Sequence, residues 1–136
     1  MIQQINHLGI AVKSLEEHIP FYRDTLKLEY KGTEEVADQK VRLAIFTTGG
    51  VNIELLEPTS PDSPIAKFIE KKGEGLHHVS YQTDDIEAEL AGFKAAKLRL
   101  IDTSPRGGAH GSKIAFLHPA SSGRVLTEIT QPGSGS

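Results

Sequence analysis

The sequence predicts an α+β fold built from two copies of one βαβββ module. Three observations predict it: an internal repeat, the same order of helix and strand patterns in each half, and a histidine–glutamate pair that occurs twice. The segments 7–17 (HLGIAVKSLEE) and 78–88 (HVSYQTDDIEA) are related by an offset of 71 residues. Self-similarity at a fixed offset is typical of a repeated supersecondary unit.

Length and composition place the chain among ordinary globular proteins. Its 136 residues suffice for one domain with a sizeable core, and 38% of them are hydrophobic and 24% charged. The formal net charge of −3 argues against a nucleic-acid partner. No apolar run reaches the roughly 20 residues that cross a bilayer, so no membrane partner is expected. The first residues lack the pattern of a signal peptide, and we expect a cytoplasmic location.

The first module begins with a strand pattern at His7 and continues into a helix. Ser14 and Glu17 form a capping-box signature at the start of this helix. Pro20 lies inside it, so we expect a kink or a late helix start. Apolar residues recur at helical spacing: Leu15, Ile19, Tyr22 and Leu26. Three strand patterns complete the module: LEYKGTEEVAD, KVRLAIFTTG and VNIELLEP.

The second module repeats this order after a linker. Residues 59–74 begin as a Pro- and Ser-rich loop and continue as a short helix, PIAKFIEKK. A strand pattern at His78 and a helix capped by Asp84 or Asp85 follow, then strand patterns in LRLIDTSP, SKIAFLHP and RVLTEITQ. A single domain over 1–131 results, with modules at about 4–58 and 75–131. Residues 132–136 are interpreted as a flexible tail or a cloning remnant.

Each module pairs a His on its first strand with a Glu on its last strand. Glu54 follows His7 by 47 residues, and Glu128 follows His78 by 50 residues. Because strand side chains alternate between faces, all four residues lie opposite the aliphatic face of their strands. The chain has no cysteine, so a transition-metal site would have to use His, Asp and Glu. If the four faces line one cavity, these side chains suit Zn, Co, Ni, Mn or Fe.

Each of these residues has a more ordinary interpretation when taken alone. A Glu in an aliphatic strand is usually a solvent-facing side chain, and a His at a strand start usually makes a structural hydrogen bond. His77 competes with its neighbour His78, and the register of the repeat favours His78. The other histidines, at 18, 110 and 118, fall outside the repeat. The metal-site interpretation therefore depends on the duplicated spacing.

With these residues in place, the sequence resembles the vicinal oxygen chelate superfamily over residues 4–131 and, within it, the methylmalonyl-CoA epimerase family. The similar stretches are INHLGIAVKSLEE, IELLEPTSPDSPIAKFIEKKGEGLHHVS, DDIEAEL and LIDTSPRGGAHGSKIAFLHP. The linker with GEGLHH is the most specific of them. The resemblance implies that the two modules form a cup-shaped mixed sheet around a metal ion, with one ligand from each of four strands.

The resemblance also implies an activity and the residues that perform it. It implies an isomerase that interconverts the (R) and (S) epimers of methylmalonyl-CoA, an acyl-CoA thioester. It places the metal ligands at His7, Glu54, His78 and Glu128. Epimerisation moves a proton from one face of the substrate to the other, and Glu128 is our candidate for one of the two acid/base groups. The resemblance implies a divalent ion, with cobalt best for activity and zinc, nickel or manganese as alternatives, and a homodimer.

Three positions depart from the pattern of some relatives. Leu43 stands where some have a Glu that would be a second acid or base, and Gln39, a bound water or another carboxylate would then take that role. Ala120 stands where many have a Lys, so other basic side chains would contact the CoA phosphates. Some relatives have Gln at the position of Glu54. Residues near in sequence that could replace the Lys are Arg106, Lys113 and Arg124.

Three other functions fit parts of the pattern. A lactoylglutathione lyase-like isomerase would use a similar metal site and proton transfer. A ring-cleaving dioxygenase needs an open iron site of two His and one carboxylate, which the second Glu disfavours. A non-catalytic ligand-binding protein of the same superfamily would generally lack the metal ligands, which disfavours that function as well.

Overall fold

The computed structural model describes residues 1–133, so most of the predicted tail, residues 134–136, lies outside the described residues. Contacts divide the chain into two compact units, one of Met1–Asn6 with His78–Ser136 and the other of His7–His77. Strand β1 (Ile2–Ala11) begins in the first of these and ends in the second. Within residues 1–133, no helix is both long and apolar enough to cross a membrane.

The unit His7–His77 contains the elements predicted for the first module and for the linker helix. The elements are β1 (Ile2–Ala11), α1 (Leu15–Pro20), β2 (Glu29–Val36), β3 (Val41–Thr48), β4 (Val51–Pro58) and α2 (Pro64–Lys72). The strands are hydrogen-bonded in the order β2-β3-β4-β1, with β1 parallel to β4 and the other pairs antiparallel. Helix α2 begins with Pro64 at its first position, as predicted, and Ser63 caps it.

Helix α1 covers one face of this sheet and buries a small core against it. Leu15 packs with Val12, Phe46 and Leu55, all of which are at most 3% exposed. The helix changes its hydrogen-bonding pattern at Pro20, because α1 ends there and a π-helical turn (Phe21–Thr25) follows it. The predicted late start is wrong, since α1 begins at Leu15.

The predicted capping box is wrong. The side chain of Ser14 makes no capping hydrogen bond. Instead, the backbone N–H of Leu15 donates to Oε2 of Glu57, at 2.9 Å. Glu57 lies on β4, so a carboxylate from a neighbouring strand satisfies the helix start. The predicted apolar stripe also ends early, since Leu26 is 48% exposed.

The other unit holds the elements of the second module. Its strands follow the order β1-β5-β8-β7-β6, and β5 is parallel to β8. The elements are β5 (Gly75–Thr83), α3 (Ile86–Ala95), β6 (Arg106–Gly107), β7 (Lys113–Leu117) and β8 (Thr127–Gln131). Asp85 caps α3 as predicted, accepting from the N–H of Ala88 at 3.1 Å. Ile86 and Leu90 of α3 pack against Ile129 of β8.

The predicted strand in LRLIDTSP is wrong. It is reduced to one bridge between Leu100 and Leu117, and the short β6 lies after it, at Arg106 and Gly107. Asp102 explains the difference, because its Oδ2 accepts from the N–H of Phe116 at 2.9 Å. The N–H of Phe116 thus donates to a side chain and not to a backbone carbonyl of a paired strand. Pro105 also has no N–H that could extend the strand pairing.

Candidate metal centre

The His7–Glu54 pair is set by the parallel pairing of β1 and β4. Gly9 lies opposite Glu54 in this register, and His7 precedes Gly9 by two residues on the same face. Nδ1 of His7 is 3.4 Å from Oε2 of Glu54. Both residues are buried, at 4% and 8% exposure. The aliphatic neighbours of Glu54 point to the opposite face, where Ile53 and Leu55 pack with α1.

The His78–Glu128 pair is built in the same way in the other unit. Ser80 lies opposite Glu128 in the parallel pairing of β5 and β8, and His78 precedes Ser80 by two residues. Nε2 of His78 is 3.9 Å from Oε2 of Glu128. Both residues are buried, at 5% and 4% exposure. The duplicated spacing in the sequence is therefore a duplicated strand register, with one buried imidazole beside one buried carboxylate in each unit.

These pairs fit ligands of a divalent ion. Two donors that lie about 2.1 Å from one ion, at tetrahedral or octahedral angles, are about 3.0–3.4 Å apart. The 3.4 Å separation of His7 and Glu54 lies at the upper end of this range, and the 3.9 Å separation of His78 and Glu128 is somewhat wider. Buried carboxylates are costly unless they are paired or coordinate a metal. A set of imidazole and carboxylate donors without thiolates suits borderline divalent ions.

A chain of buried hydroxyl groups holds Glu128. The hydroxyl of Thr130 donates to Oε1 of Glu128 at 2.8 Å. Because that hydroxyl has one proton, Ser80 donates to Thr130, at an Oγ–Oγ1 distance of 2.5 Å. Ser80 is fully buried and Thr130 is 4% exposed. The chain fixes Oε1 and leaves Oε2 as the oxygen nearest the imidazole of His78.

The first module cannot build the same chain from its corresponding positions. Gly9 corresponds to Ser80 and Leu56 corresponds to Thr130, and neither has a hydroxyl group. The corresponding carboxylates, Glu54 and Glu128, therefore differ in their hydrogen-bonding surroundings. Thr130 was not predicted from the sequence, although a hydroxyl residue two positions after a strand Glu lies on the same face as that Glu.

Replacing Thr130 with Val is expected to lower the affinity for Co²⁺ by roughly 10- to 100-fold, the usual cost of removing a side chain that hydrogen-bonds a metal ligand. Val keeps the shape and strand preference of Thr but removes the hydrogen bond to Oε1 of Glu128. Titration calorimetry measures the affinity.

A second Thr on the same strand provides the matched control for this prediction. The hydroxyl of Thr127 donates to the backbone carbonyl of Val125, outside the chain of hydroxyl groups. Thr127→Val is therefore expected to bind Co²⁺ as the wild type does. Equal affinities in the Thr130→Val and Thr127→Val variants would contradict the role of Thr130.

The remaining histidines singled out by the sequence occupy other surroundings. The ring of His77 contacts the ring of Phe68 on α2, with centroids 4.9 Å apart. His18 lies 3.0 Å from Glu74, and Nδ1 of His118 accepts from the N–H of Ala120. His78, and not His77, therefore has a buried Glu beside it on the neighbouring strand.

Comparison with known proteins gives the class of the protein. The family described as the glyoxalase/bleomycin resistance protein/dioxygenase superfamily matches residues 6–116. The chain is 40% identical to the uncharacterized protein YqjC of Bacillus subtilis over 131 residues, 96% of this chain and 94% of that one. It is 38% identical to the ethylmalonyl-CoA/methylmalonyl-CoA epimerase of Cereibacter sphaeroides over 133 residues, 96% of this chain and 99% of that one.

A solved structure agrees with these relatives. It is a Glu-to-Leu variant of the methylmalonyl-CoA epimerase of Streptomyces coelicolor in complex with 2-nitronate-propionyl-CoA. Its TM-score with this chain is 0.94 at 38% identity, covering 98% of this chain and 97% of that one. The predicted fold class is confirmed, and the chain belongs to the glyoxalase superfamily. Within that superfamily it belongs to the methylmalonyl-CoA epimerase family.

Proposed function

We propose that this chain is a divalent-metal-dependent isomerase that interconverts (2R)- and (2S)-methylmalonyl-CoA. The observation that carries the proposal is the duplicated pair of buried His and Glu residues in a member of the epimerase family. An epimerase needs to stabilise a carbanion and to move a proton. The imidazoles and carboxylates could hold a metal ion that stabilises the negative charge, and a carboxylate could accept and return the proton.

The proposed metal ligands are His7, Glu54, His78 and Glu128. When bound, a divalent ion supplies Lewis-acid stabilisation of negative charge on substrate oxygens, worth several kcal/mol. The burial of all four side chains and the separations within each pair support this assignment. One atom that could coordinate an ion is offered by each of three of these side chains: a ring nitrogen of His7 and of His78, and a carboxylate oxygen of Glu128.

The reaction requires a proton to leave C2 of the substrate and to return on the other face. C2 lies between a thioester carbonyl and a carboxylate, so its deprotonation gives an enolate. A nitronate has the planar, anionic character of such an enolate, and the Streptomyces epimerase binds a nitronate analogue. We assign one of the two proton transfers to Glu128. Its carboxylate has about four lone-pair sites, so the hydrogen bond from Thr130 leaves capacity for this role.

Deuterium exchange tests the proposed function. The Co²⁺-loaded protein is incubated in D₂O with each epimer, and deuterium at C2 and net inversion are followed together. We expect both exchange and inversion. Absence of exchange in folded, metal-loaded protein would contradict the proposal. Turnover of a glutathione hemithioacetal without exchange at C2 would instead support a lactoylglutathione lyase-like isomerase.

We extend the proposal to the identity of the ion, the assembly and the location. Cobalt is proposed as the ion that supports activity best, with zinc, nickel and manganese as alternatives, because imidazole and carboxylate ligands accept all four. A homodimer and a cytoplasmic location complete the proposal. Reconstitution of the metal-free protein with each ion ranks the metals, and light scattering after size exclusion measures the assembly.

A further inference from the structure

Arg106 and Lys113 lie on neighbouring strands of one unit but on opposite faces of its sheet. Arg106 of β6 lies opposite Ile114 of β7, and Phe116, two residues further along β7, lies opposite Glu128 of β8. Because directly opposed residues and residues two apart point to the same face, Arg106 shares the face of Glu128. Lys113 alternates with Ile114, so it points to the other face, which α3 covers.

Ring contacts connect Arg106 to the candidate metal centre. The guanidinium carbon, Cζ, lies over the ring of Phe116, 5.5 Å from its centroid. The same ring contacts the imidazole of His78 edge to face, with centroids 5.5 Å apart. The guanidinium therefore lies within about 11 Å of the imidazole, twice the separation of 5.5 Å. All three side chains belong to the unit that contains His78–Ser136, so this distance is a property of one unit.

Asp102 fixes the direction of the guanidinium. Its Oδ2 is 3.4 Å from Nε of Arg106 and also accepts from the N–H of Phe116, at 2.9 Å. The backbone of β7 thus holds the carboxylate that holds the arginine. Among residues 1–133, the guanidinium has no partner besides Asp102 and Phe116. Pairing through Nε leaves the edge with the two terminal amino groups available to a ligand.

The loop that follows Arg106 is tightly folded. The N–H of Gly108 donates to the carbonyl of Ser112 at 3.0 Å, and the N–H of Ser112 donates to that of Ala109 at 3.1 Å. A Cβ on Gly108 would lie 2.8 Å from Cγ2 of Ile114, so the loop approaches β7 closely. Arg106 is half-exposed but oriented by its surroundings, and an oriented side chain loses less freedom when it binds a ligand.

The substrate of the proposed function carries groups that suit this cation. Coenzyme A has a diphosphate and a 3′-phosphate at the end remote from the thioester. The planar guanidinium presents two parallel N–H donors that match phosphate oxygens, a geometry that Lys lacks. The net charge of −3 gives the chain no general attraction for phosphate, so a positioned cation is needed.

The length of the substrate agrees with the position of Arg106. The arm from the thioester sulfur to the diphosphate has about 13 bonds, so it spans roughly 15 Å when extended as a polypeptide backbone extends. The proposed function places the thioester beside His78 and Glu128. A phosphate that contacts a guanidinium within about 11 Å of His78 is within the reach of this arm.

We propose that Arg106 binds a phosphate group of the coenzyme A part of the substrate, an assignment that rests on the proposed function. The terminal amino groups of the guanidinium donate to the phosphate oxygens. Asp102 and Phe116 position the guanidinium for this contact. Arg106 thus takes the role that the sequence left open between it and Lys113, which points to the other face.

The substitution Arg106→Gln tests the proposal with two thioesters. For methylmalonyl-CoA, we expect KM to rise by roughly 10- to 100-fold, the effect of losing a hydrogen bond to a charged group, with kcat nearly unchanged. Methylmalonyl-pantetheine keeps the reacting group and the arm but has no phosphate. With this thioester, the variant and the wild type are expected to have equal kcat/KM.

The thioester of 3′-dephospho-CoA shows which phosphate is bound. If the rise in KM persists with it, Arg106 binds the diphosphate. If the rise disappears, Arg106 binds the 3′-phosphate.

Lys113 gives a matched control, because Lys113→Gln removes a positive charge from the neighbouring strand but from the other face. This variant is expected to keep the KM of the wild type. Arg106→Lys, which keeps the charge without the paired donors, is expected to restore part of the affinity. Thermal melting and cobalt content are measured for each variant.

Two outcomes would overturn the role of Arg106. One is an unchanged KM for methylmalonyl-CoA in Arg106→Gln, and the other is an equal loss of kcat/KM with methylmalonyl-pantetheine. Calorimetric titration with free CoA tests the same contact without turnover, and Arg106→Gln is expected to bind it more weakly than the wild type. A wild-type protein that binds CoA through Arg106 but inverts neither epimer would contradict the proposed function alone.

Discussion

Replacing His78 with Ala is expected to lower the affinity for Co²⁺ by more than about 100-fold, a loss larger than that of an outer-shell change. The imidazole is one of four proposed donors, and its Nε2 lies 3.9 Å from the carboxylate of Glu128. Ala supplies no donor atom in place of this buried imidazole. His7→Ala is expected to have a similar effect, because His7 has the equivalent position in the other module.

The measurement is the molar ratio of cobalt to protein after dialysis against dilute Co²⁺. His77→Ala is the matched control, since it changes the adjacent residue on the same strand. It removes a ring contact with Phe68 but no proposed ligand, so the cobalt ratio is expected to stay near that of the wild type. If His77→Ala lost the metal and His78→Ala retained it, the register taken from the repeat would be wrong.

The sequence identified the four buried His and Glu residues because strand alternation and the repeat act together. Alternation places a side chain on one of two faces, and the repeat selects His78 over His77. The structure adds the strand pairing. The residue opposite each Glu on the neighbouring strand lies two positions after the His of the same module. Such a site can be predicted from the sequence because the local pattern and the strand pairing agree.

Contacts between distant segments explain why the predicted capping box and the predicted strand in LRLIDTSP are wrong. Ser14 has the right residue type for a helix cap, but Glu57, 42 residues further on, binds the helix start instead. Asp102 interrupts an apparently good strand pattern because it binds the N–H of Phe116. Neither partner can be known before the strands are paired, because local propensity contains no information on long-range acceptors.

The same limit applies to the residues around the site. Thr130 becomes informative only when the pairing of β5 with β8 brings Ser80 to it.

Replacing Glu128 with Gln is expected to reduce inversion of methylmalonyl-CoA by roughly 10²- to 10⁴-fold, even at saturating Co²⁺. The amide has nearly the shape of the carboxylate, and its oxygen still accepts from Thr130. It cannot take up a proton from C2. The rate of inversion at several Co²⁺ concentrations, with the metal content measured in parallel, separates loss of proton transfer from loss of metal.

Glu54→Gln makes the same change at the equivalent residue of the other module. Glu54 is proposed as a ligand without a proton-transfer role, so its variant is expected to need more Co²⁺ but to regain most of its rate when the ion is saturating. The two variants therefore differ in whether added metal restores inversion. If saturating Co²⁺ restored Glu128→Gln as fully as Glu54→Gln, Glu128 would be a ligand only, and the proton attributed to it would have to move through another group.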